Sequence, residues 1–208
     1  MRRQVDLVVP VKTLDRAKTR LLGAADCGTG DPDAHAALAL ALALDTISAA
    51  VRVVRQVVAV TSDPAVVAEL RVLGVESVPG PDGLNPALRH GAAVLRARDP
   101  RSVVGALQAD LPALRSDDLA AALETATGRA FCPDRQGTGT TLLLSAPGGD
   151  LDPRFGVGSA EAHAASGAVA LLGPWPSLRT DVDTEEDLRL AAALGLGSRT
   201  AALLPVCG

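Results

Sequence analysis

Short apolar runs alternate with longer helical patterns along the chain. Residues 5–9 and 102–108 read as buried strands, and 57–61 is a β-branched run of the same kind. Residues 75–78, Thr140–Leu144 and 168–172 are shorter strand candidates. Between them lie helical stretches at 32–51, Leu84–Arg98, 114–127 and 184–194. Ser62-Asp63-Pro64 caps a further helix after the second strand, and Asn85-Pro86 stands at the start of the 84–98 helix. Ser116-Asp117-Asp118 opens the 114–127 helix, and Thr184 with Asp187 approaches a capping box. Strands alternating with helices predict an α/β fold, a mostly parallel sheet covered by helices. No repeat or low-complexity linker interrupts the pattern, so residues 1–208 read as a single domain.

Composition narrows the partners. The chain has 208 residues, 48% hydrophobic and only 1% aromatic, with a net charge of −4. That balance argues against nucleic acid as a partner, which would want a basic face and stacking platforms. A small anion needs only a few local cations. Cys27, Cys132 and Cys207 are far apart and odd in number, so neither a zinc site nor a disulfide framework is predicted. The opening apolar run is cut by Pro10 and Lys12, too short for a signal peptide or a membrane span. The apolar stretch 36–44, between His35 and Asp45, suits a buried helix better than a membrane. The expectation is a cytoplasmic protein without a membrane partner.

Four segments carry candidate chemistry, and in such sheets ligands sit at the carboxyl ends of strands. After the first strand come Lys12, Lys18 and Arg20, a cation cluster suited to phosphates, though a solvated basic loop reads the same way. Neither GxxxxGK[ST] nor GxGxxG is present. Asp110 comes after the apolar strand at 103–107, where it is placed either to meet magnesium or to cap a turn. Asp181 and Asp183, two apart in an extended segment, point to the same side and converge on one cation, unless Asp183 only caps the next helix. Gly137-Thr138-Gly139-Thr140 and Gly156-Val157-Gly158-Ser159 offer backbone amides and hydroxyls to an anion. Ser159 stands where a helix through His163 begins, and His163 reads as structural or as a neighbour of the anion contact.

Taken together, VVPVKTLDRAKTRL, LQADLPAL, GTGTTLLL, DPRFGVGS and DVDTEEDL make the chain resemble the guanylyltransferases of coenzyme F-420 (deazaflavin) biosynthesis. The order and spacing of the motifs carry the resemblance over nearly the whole chain. It implies the nucleotide-diphospho-sugar transferase (glycosyltransferase-A-like) fold, a single Rossmann-like sandwich. It implies GTP and Mg²⁺, and an acceptor that is either phosphoenolpyruvate or 2-phospho-L-lactate. It implies that Lys12, Lys18 and Arg20 handle the GTP phosphates and that Asn85 lies in the nucleotide pocket. Asp110, Asp181 and Asp183 would hold the metal, and Thr140, Gly156 and Ser159 would bind the phosphoacid. Gly-Thr-Gly-Thr at 137–140 matches the phosphoenolpyruvate branch, while the length of the loop at 146–151 leaves Thr140 against Thr141 open. The family also implies a downstream transferase that takes an unstable product. The competing readings are another nucleotidyltransferase of this fold, a sugar-nucleotide glycosyltransferase and a nucleotide-binding scaffold. The missing glycine-rich opening loop weighs against the first.

Overall fold

A computed structural model describes residues 4–14, 21–22, 24–25 and 28–204 of the chain. In β1 (Val5–Pro10), Val5, Leu7 and Val9 enter one core and Val8 enters another on the opposite face. This period-two split is what a strand buried on both sides requires. α1 (Pro32–Ala50) starts at Asp31, whose carboxylate accepts from the Asp33 amide, and has Pro32 in its first turn. It is long and apolar enough to cross a membrane, yet 67% of its apolar window is buried within the fold. β2 (Gln56–Val60) pairs in parallel with β1. α2 (Pro64–Val72) leaves it through Asp63, which accepts from the amides of Ala65 and Val66. A cap of this type stabilises a helix by about 1 kcal/mol.

β3 (Glu76–Val78), α3 (Leu84–Arg98), β4 (Val103–Leu107) and α4 (Ser116–Thr125) continue the alternation. β5 (Ala130–Pro133) and β6 (Thr140–Leu144) form a hairpin, and α5 (Ser159–Ala165) and β7 (Val169–Ala170) come next. The chain closes with α6 (Pro176–Arg179), α7 (Glu185–Leu194) and α8 (Ser198–Leu203). The sheet order is β3-β2-β1-β4-β6-β5-β7. β6 is antiparallel to both β4 and β5, while the remaining pairs are parallel. The carboxyl ends of β1, β2, β4 and β5 therefore share one edge with the amino end of β6.

Helices cover both faces. α1, α2 and α4 pack Ile47, Leu70 and Leu119 against Leu7, Ala59 and Leu107. α3 sets Leu88 and Leu95 against Val8, Val58 and Val104 on the other face. A third cluster joins Leu38 and Leu42 of α1 to Val182, Leu188 and Ala191, which docks α7 and the segment before it beside the sheet edge.

Several elements differ from the sequence expectation. β5 escapes a periodicity reading because it is four apolar residues ending in proline. α6 and α8 have four and six residues, too short for a helical period to register. α4 begins at Ser116 because Leu114 closes a turn on Leu111, its amide donating to the Leu111 carbonyl at 2.9 Å. The Ser116 hydroxyl does not cap α4 but donates to the Ala49 carbonyl of α1. Thr184 and Asp187 do form the anticipated reciprocal capping box.

Gly91 lets α3 approach the sheet: a Cβ there would lie 2.5 Å from Val8 Cγ1 and 2.8 Å from Val60 Cγ2. Both neighbours are stiff β-branched side chains in the core. Gly91→Ala improves helix propensity by about 1 kcal/mol, but overpacking costs about 1–3 kcal/mol. The expected outcome is a lower Tm, by several degrees, in a thermal melt followed by circular dichroism; a Tm equal to or above wild type would show that α3 can back away freely.

Candidate active site

The chain leaves β1 into a cleft of about 1180 Å³ at the shared strand edge. Its walls come from residues 11–14 after β1, 61–62 after β2, 80–84 after β3 and 108–110 after β4. The strand order grows outward in opposite directions from β1 and β4, so this is the switch point where such sheets open a crevice. Two bonds hold the segment carrying Lys12. The Val11 amide donates to the Val60 carbonyl at 3.0 Å, and the Leu14 amide donates to Asp63 Oδ2 at 2.9 Å. Asp63 thus caps α2 with one oxygen and fixes the Lys12 segment with the other. Lys12 is exposed and, among the described lining residues, is the one cation facing Asp82, Asp110 and Asp183. Lys18 and Arg20 lie outside the described residues.

Asp110 sits two residues beyond the last ladder bond of β4, where the Gln108 amide donates to the Thr141 carbonyl at 2.9 Å. Its turn is held from below by Thr46, fully buried in α1. The Thr46 hydroxyl donates to the Leu42 carbonyl at 2.8 Å and accepts from the Leu111 amide at 2.9 Å. The Val182 amide donates to the Asp110 carbonyl at 3.0 Å, which brings the 181–183 segment alongside. Val182 is buried, so the flanking Asp181 and Asp183 project the other way. Asp183 reaches the cleft wall. Burial raises the Asp181 carboxyl to about 7, and the neighbouring charges of Asp110, Asp183 and Asp134 add to the rise. Asp110, Asp181 and Asp183 therefore feel one another at the cleft edge. Among the described residues no three His, Cys, Asp or Glu side chains are gathered into a ready metal cage. An all-oxygen donor set of repelling carboxylates suits a hard cation, and magnesium commonly takes only one or two carboxylates and completes its shell with phosphate and water.

The phosphoacid residues of the sequence expectation form a second group at the same edge. Ser159 Oγ donates to Thr140 Oγ1 at 3.2 Å, and His163 Nδ1 lies 2.9 Å from Thr140 Oγ1. All three side chains are buried. Thr141 turns to the opposite face, with its hydroxyl donating to the Cys132 carbonyl, so Thr140 is the one beside Ser159. The Ala160 amide donates to the Thr138 carbonyl at 3.1 Å, tying the start of α5 to the Gly-Thr-Gly-Thr turn. Gly156, exposed with φ of +140°, adopts a backbone that a side chain would strain. Asn85 is engaged elsewhere than the cleft wall: its amide donates to the Phe155 carbonyl at 2.9 Å and its oxygen accepts from the Phe155 amide at 2.8 Å. Its neighbours Leu84 and Ala87 line the cleft, so Asn85 links cleft and loop.

Sequence reasoning passes over two residues that shape this site. Thr46 and Asp134 bind backbone far away or within a turn, Asp134 accepting from the amides of Thr138 and Gly139 at 2.9 and 2.8 Å. A polar pair, Asp45-Thr46, inside the apolar 36–50 stretch is the available signal for Thr46. His163, read from the sequence as structural or as a neighbour of the anion contact, bonds to both Thr140 and the Arg154 amide, the latter at 2.9 Å.

The raised Asp181 carboxyl has a signed consequence for stability. The folded protein holds this proton more tightly than an unfolded chain, where the ordinary value is 3.8. The associated stability is complete below that value and is lost as pH rises through about 7. Asp181→Asn, neutral throughout, is therefore expected to raise Tm above wild type at pH 8 in EDTA, with the difference shrinking toward pH 4. Parallel melts across that range check it; a constant difference would mean that neither burial nor the neighbouring charges raise this carboxyl.

Comparison with known proteins accords with this geometry. The family model described as "Guanylyl transferase CofC like" matches residues 5–204. A phosphoenolpyruvate guanylyltransferase of Salinispora arenicola is 56% identical over 211 residues, covering 97% of this chain and 92% of the relative. The protein of the same name from Geodermatophilus obscurus is 54% identical over 204 residues, covering 95% and 93%. In structure, a nucleotide-diphospho-sugar transferase of Desulfovibrio desulfuricans, itself named only provisionally, aligns with a TM-score of 0.67 at 18% identity, covering 97% of each chain. That likeness bears on the fold, and it agrees with the expected α/β sandwich. By the family match and by identity over almost its full length, the chain belongs to the CofC-like guanylyl transferase family.

Proposed function

We propose that this protein transfers the guanylyl group of GTP to phosphoenolpyruvate, giving enolpyruvoyl-2-diphospho-5'-guanosine and pyrophosphate, in coenzyme F-420 biosynthesis. The observation that carries the reading is the cleft at the β1–β4 switch point, with Lys12 on one wall and Asp110 and Asp183 on another. A triphosphate would fit such a cleft with a divalent cation offsetting these carboxylates. Family membership and the name borne by the relatives at 54% and 56% identity support the guanylyl donor and the acceptor. The cytoplasm is the compartment proposed for the reaction, with a downstream transferase drawing off the product.

In this reading a phosphate oxygen of phosphoenolpyruvate bonds to the α-phosphorus of GTP. The bond from that phosphorus to the bridging oxygen of the β-phosphate breaks, and pyrophosphate leaves with the electron pair. The nucleophile is already ionised near neutral pH, so no general base is required. Lys12, with Lys18 and Arg20, neutralises phosphate charge, and positioning supplies much of the remaining rate. Asp110, Asp181 and Asp183 would hold Mg²⁺, which supplies charge neutralisation at the phosphates when bound. Thr140, Ser159 and the backbone at Gly156 orient the acceptor.

Pyrophosphate release is the test, with purified protein, GTP, Mg²⁺ and either phosphoenolpyruvate or 2-phospho-L-lactate. Release with phosphoenolpyruvate is expected. Release with 2-phospho-L-lactate alone would reassign the acceptor, and release with neither, even with the downstream transferase present, would end the guanylyltransferase reading. Asp110→Asn is expected to keep the wild-type circular dichroism spectrum and lose on the order of 10²-fold in turnover. Near-normal turnover in that variant would remove Asp110 from the metal site.

A further inference from the structure

His163 stands apart from the other histidines of the fold. It is completely buried, packed by Phe131 and Phe155 at ring-centroid distances of 5.9 and 5.0 Å. Both ring nitrogens are committed. Nε2 lies 2.9 Å from the Arg154 backbone nitrogen, which can only donate, so Nε2 accepts. The ring hydrogen is then on Nδ1 and is donated to Thr140 Oγ1 at 2.9 Å. Burial, with the charges of Arg129 and Arg154, pushes the imidazole down to about 4, opposed in part by Asp152. The ring is therefore a neutral group of one fixed tautomer.

That tautomer sets the direction of its neighbours' bonds. Thr140 Oγ1 receives the imidazole hydrogen, and a second hydrogen joins Thr140 to Ser159 at 3.2 Å. Two hydroxyls carry two hydrogens, and one is consumed between them. The other remains to be donated from a buried position at the strand edge. A neutral, preoriented hydroxyl donor fits an anionic oxygen of phosphate or carboxylate type. The other bond of the ring, to the Arg154 amide, anchors the loop leading to Gly156.

We infer that His163 is a positioning residue of the acceptor pocket: it orients the Thr140–Ser159 pair so that one hydroxyl hydrogen of the pair is left to be donated outward, and it fixes the 154–158 loop beside them, so that the pocket recognises one anionic oxygen of a small phosphorylated acid. This rests on the acceptor assignment under the proposed function. The imidazole touches no substrate and acts through Thr140 and the Arg154 backbone.

The experiment compares wild type, His163→Asn and His163→Leu in the full chain, after wild-type turnover with GTP and phosphoenolpyruvate has been established. KM for phosphoenolpyruvate, KM for GTP and kcat are measured separately. An Asn amide places a donor near the Nδ1 position, whereas Leu offers none. His163→Leu is expected to raise KM for phosphoenolpyruvate about tenfold or more, the scale of a buried bond left unmade. KM for GTP should stay within about twofold, a margin well below the tenfold equivalent of one such bond. His163→Asn should recover most of the loss. Equal effects on both substrates, no effect, or Asn and Leu variants that behave alike would overturn the inference. Long-range ¹H–¹⁵N spectra of the wild-type protein give a second reading that needs no variant and no turnover. They should show a protonated Nδ1 and a bare Nε2 between pH 5 and 8, and a ring protonated on Nε2 would overturn the inference even if the variants fail to fold. Absence of wild-type turnover with phosphoenolpyruvate, by contrast, would count against the proposed function, leaving the spectra to judge the tautomer.

Discussion

Parallel pairing of β1 with β4 is the constraint on which the site depends. It places residues 5–8 against 103–106 in register, so both strands end at the same edge. From that pair the sheet extends through β2 and β3 on one side and through β6, β5 and β7 on the other. The crevice opens at the shared strand ends. The segment after each strand then becomes a wall, carrying Lys12 beyond β1 and Asp110 beyond β4. Neither position is left to loop flexibility. Asp63 reaches across from the start of α2 to one, and Thr46 reaches up from α1 to the other.

The reversed strand β6 adds the second half of the site. An antiparallel strand brings its first residue, not its last, to the carboxyl edge of its neighbours. Thr140 therefore arrives beside the end of β4 without a helix crossover, through the short turn after β5. Asp134 stabilises that turn by accepting from two of its amides. Gly139 is needed there because a Cβ would collide with the Asp134 carboxylate. Loop, turn and α5 then form one hydrogen-bonded unit, through Thr138, Thr140, Ser159 and His163. A substitution in α5 is thus felt in the turn.

Local chemistry is legible in the sequence wherever the deciding partner lies within a few residues. The Asp63 and Thr184 caps, the strand-end position of Asp110 and the alternation around Val182 all come from short spacings. The role of Thr46 is not legible, because its partner is 65 residues away, and the sequence leaves His163 between two readings because Thr140 lies 23 residues away. Asn85 shows the same limit: its partner, Phe155, is 70 residues distant, and no local pattern announces it. Carboxylates show the limit most clearly. Asp6 and Asp181 look alike in the sequence, each an acid beside a buried apolar neighbour. In the fold, Asp6 is fully buried and held by the guanidinium of Arg55 at the far edge of the sheet, with Arg55 Nε donating to Asp6 Oδ1 at 2.7 Å. Asp181 has further carboxylates around it instead, and burial together with their charges raises its carboxyl to about 7. The first is a structural ion pair, and the second is a place where positive charge is wanted.

The two halves of the candidate site handle charge in opposite ways, and this bears on how a reaction between anions would proceed. The cleft half holds carboxylates that repel one another and would repel a bare triphosphate. In the proposed reaction a divalent cation held by these carboxylates would offset the charge of the nucleotide. The acceptor half presents hydroxyls and backbone amides, with a neutral imidazole held behind them. Donors without net charge orient an oxygen while adding little long-range attraction, so pyrophosphate is not held there by charge alone once it has formed. An arginine or lysine among the groups that touch the acceptor would bind it more strongly and would also hold the competing anion. Neutral donors favour recognition by shape and hydrogen-bond direction, which is what discrimination between two small phosphorylated acids of equal charge requires.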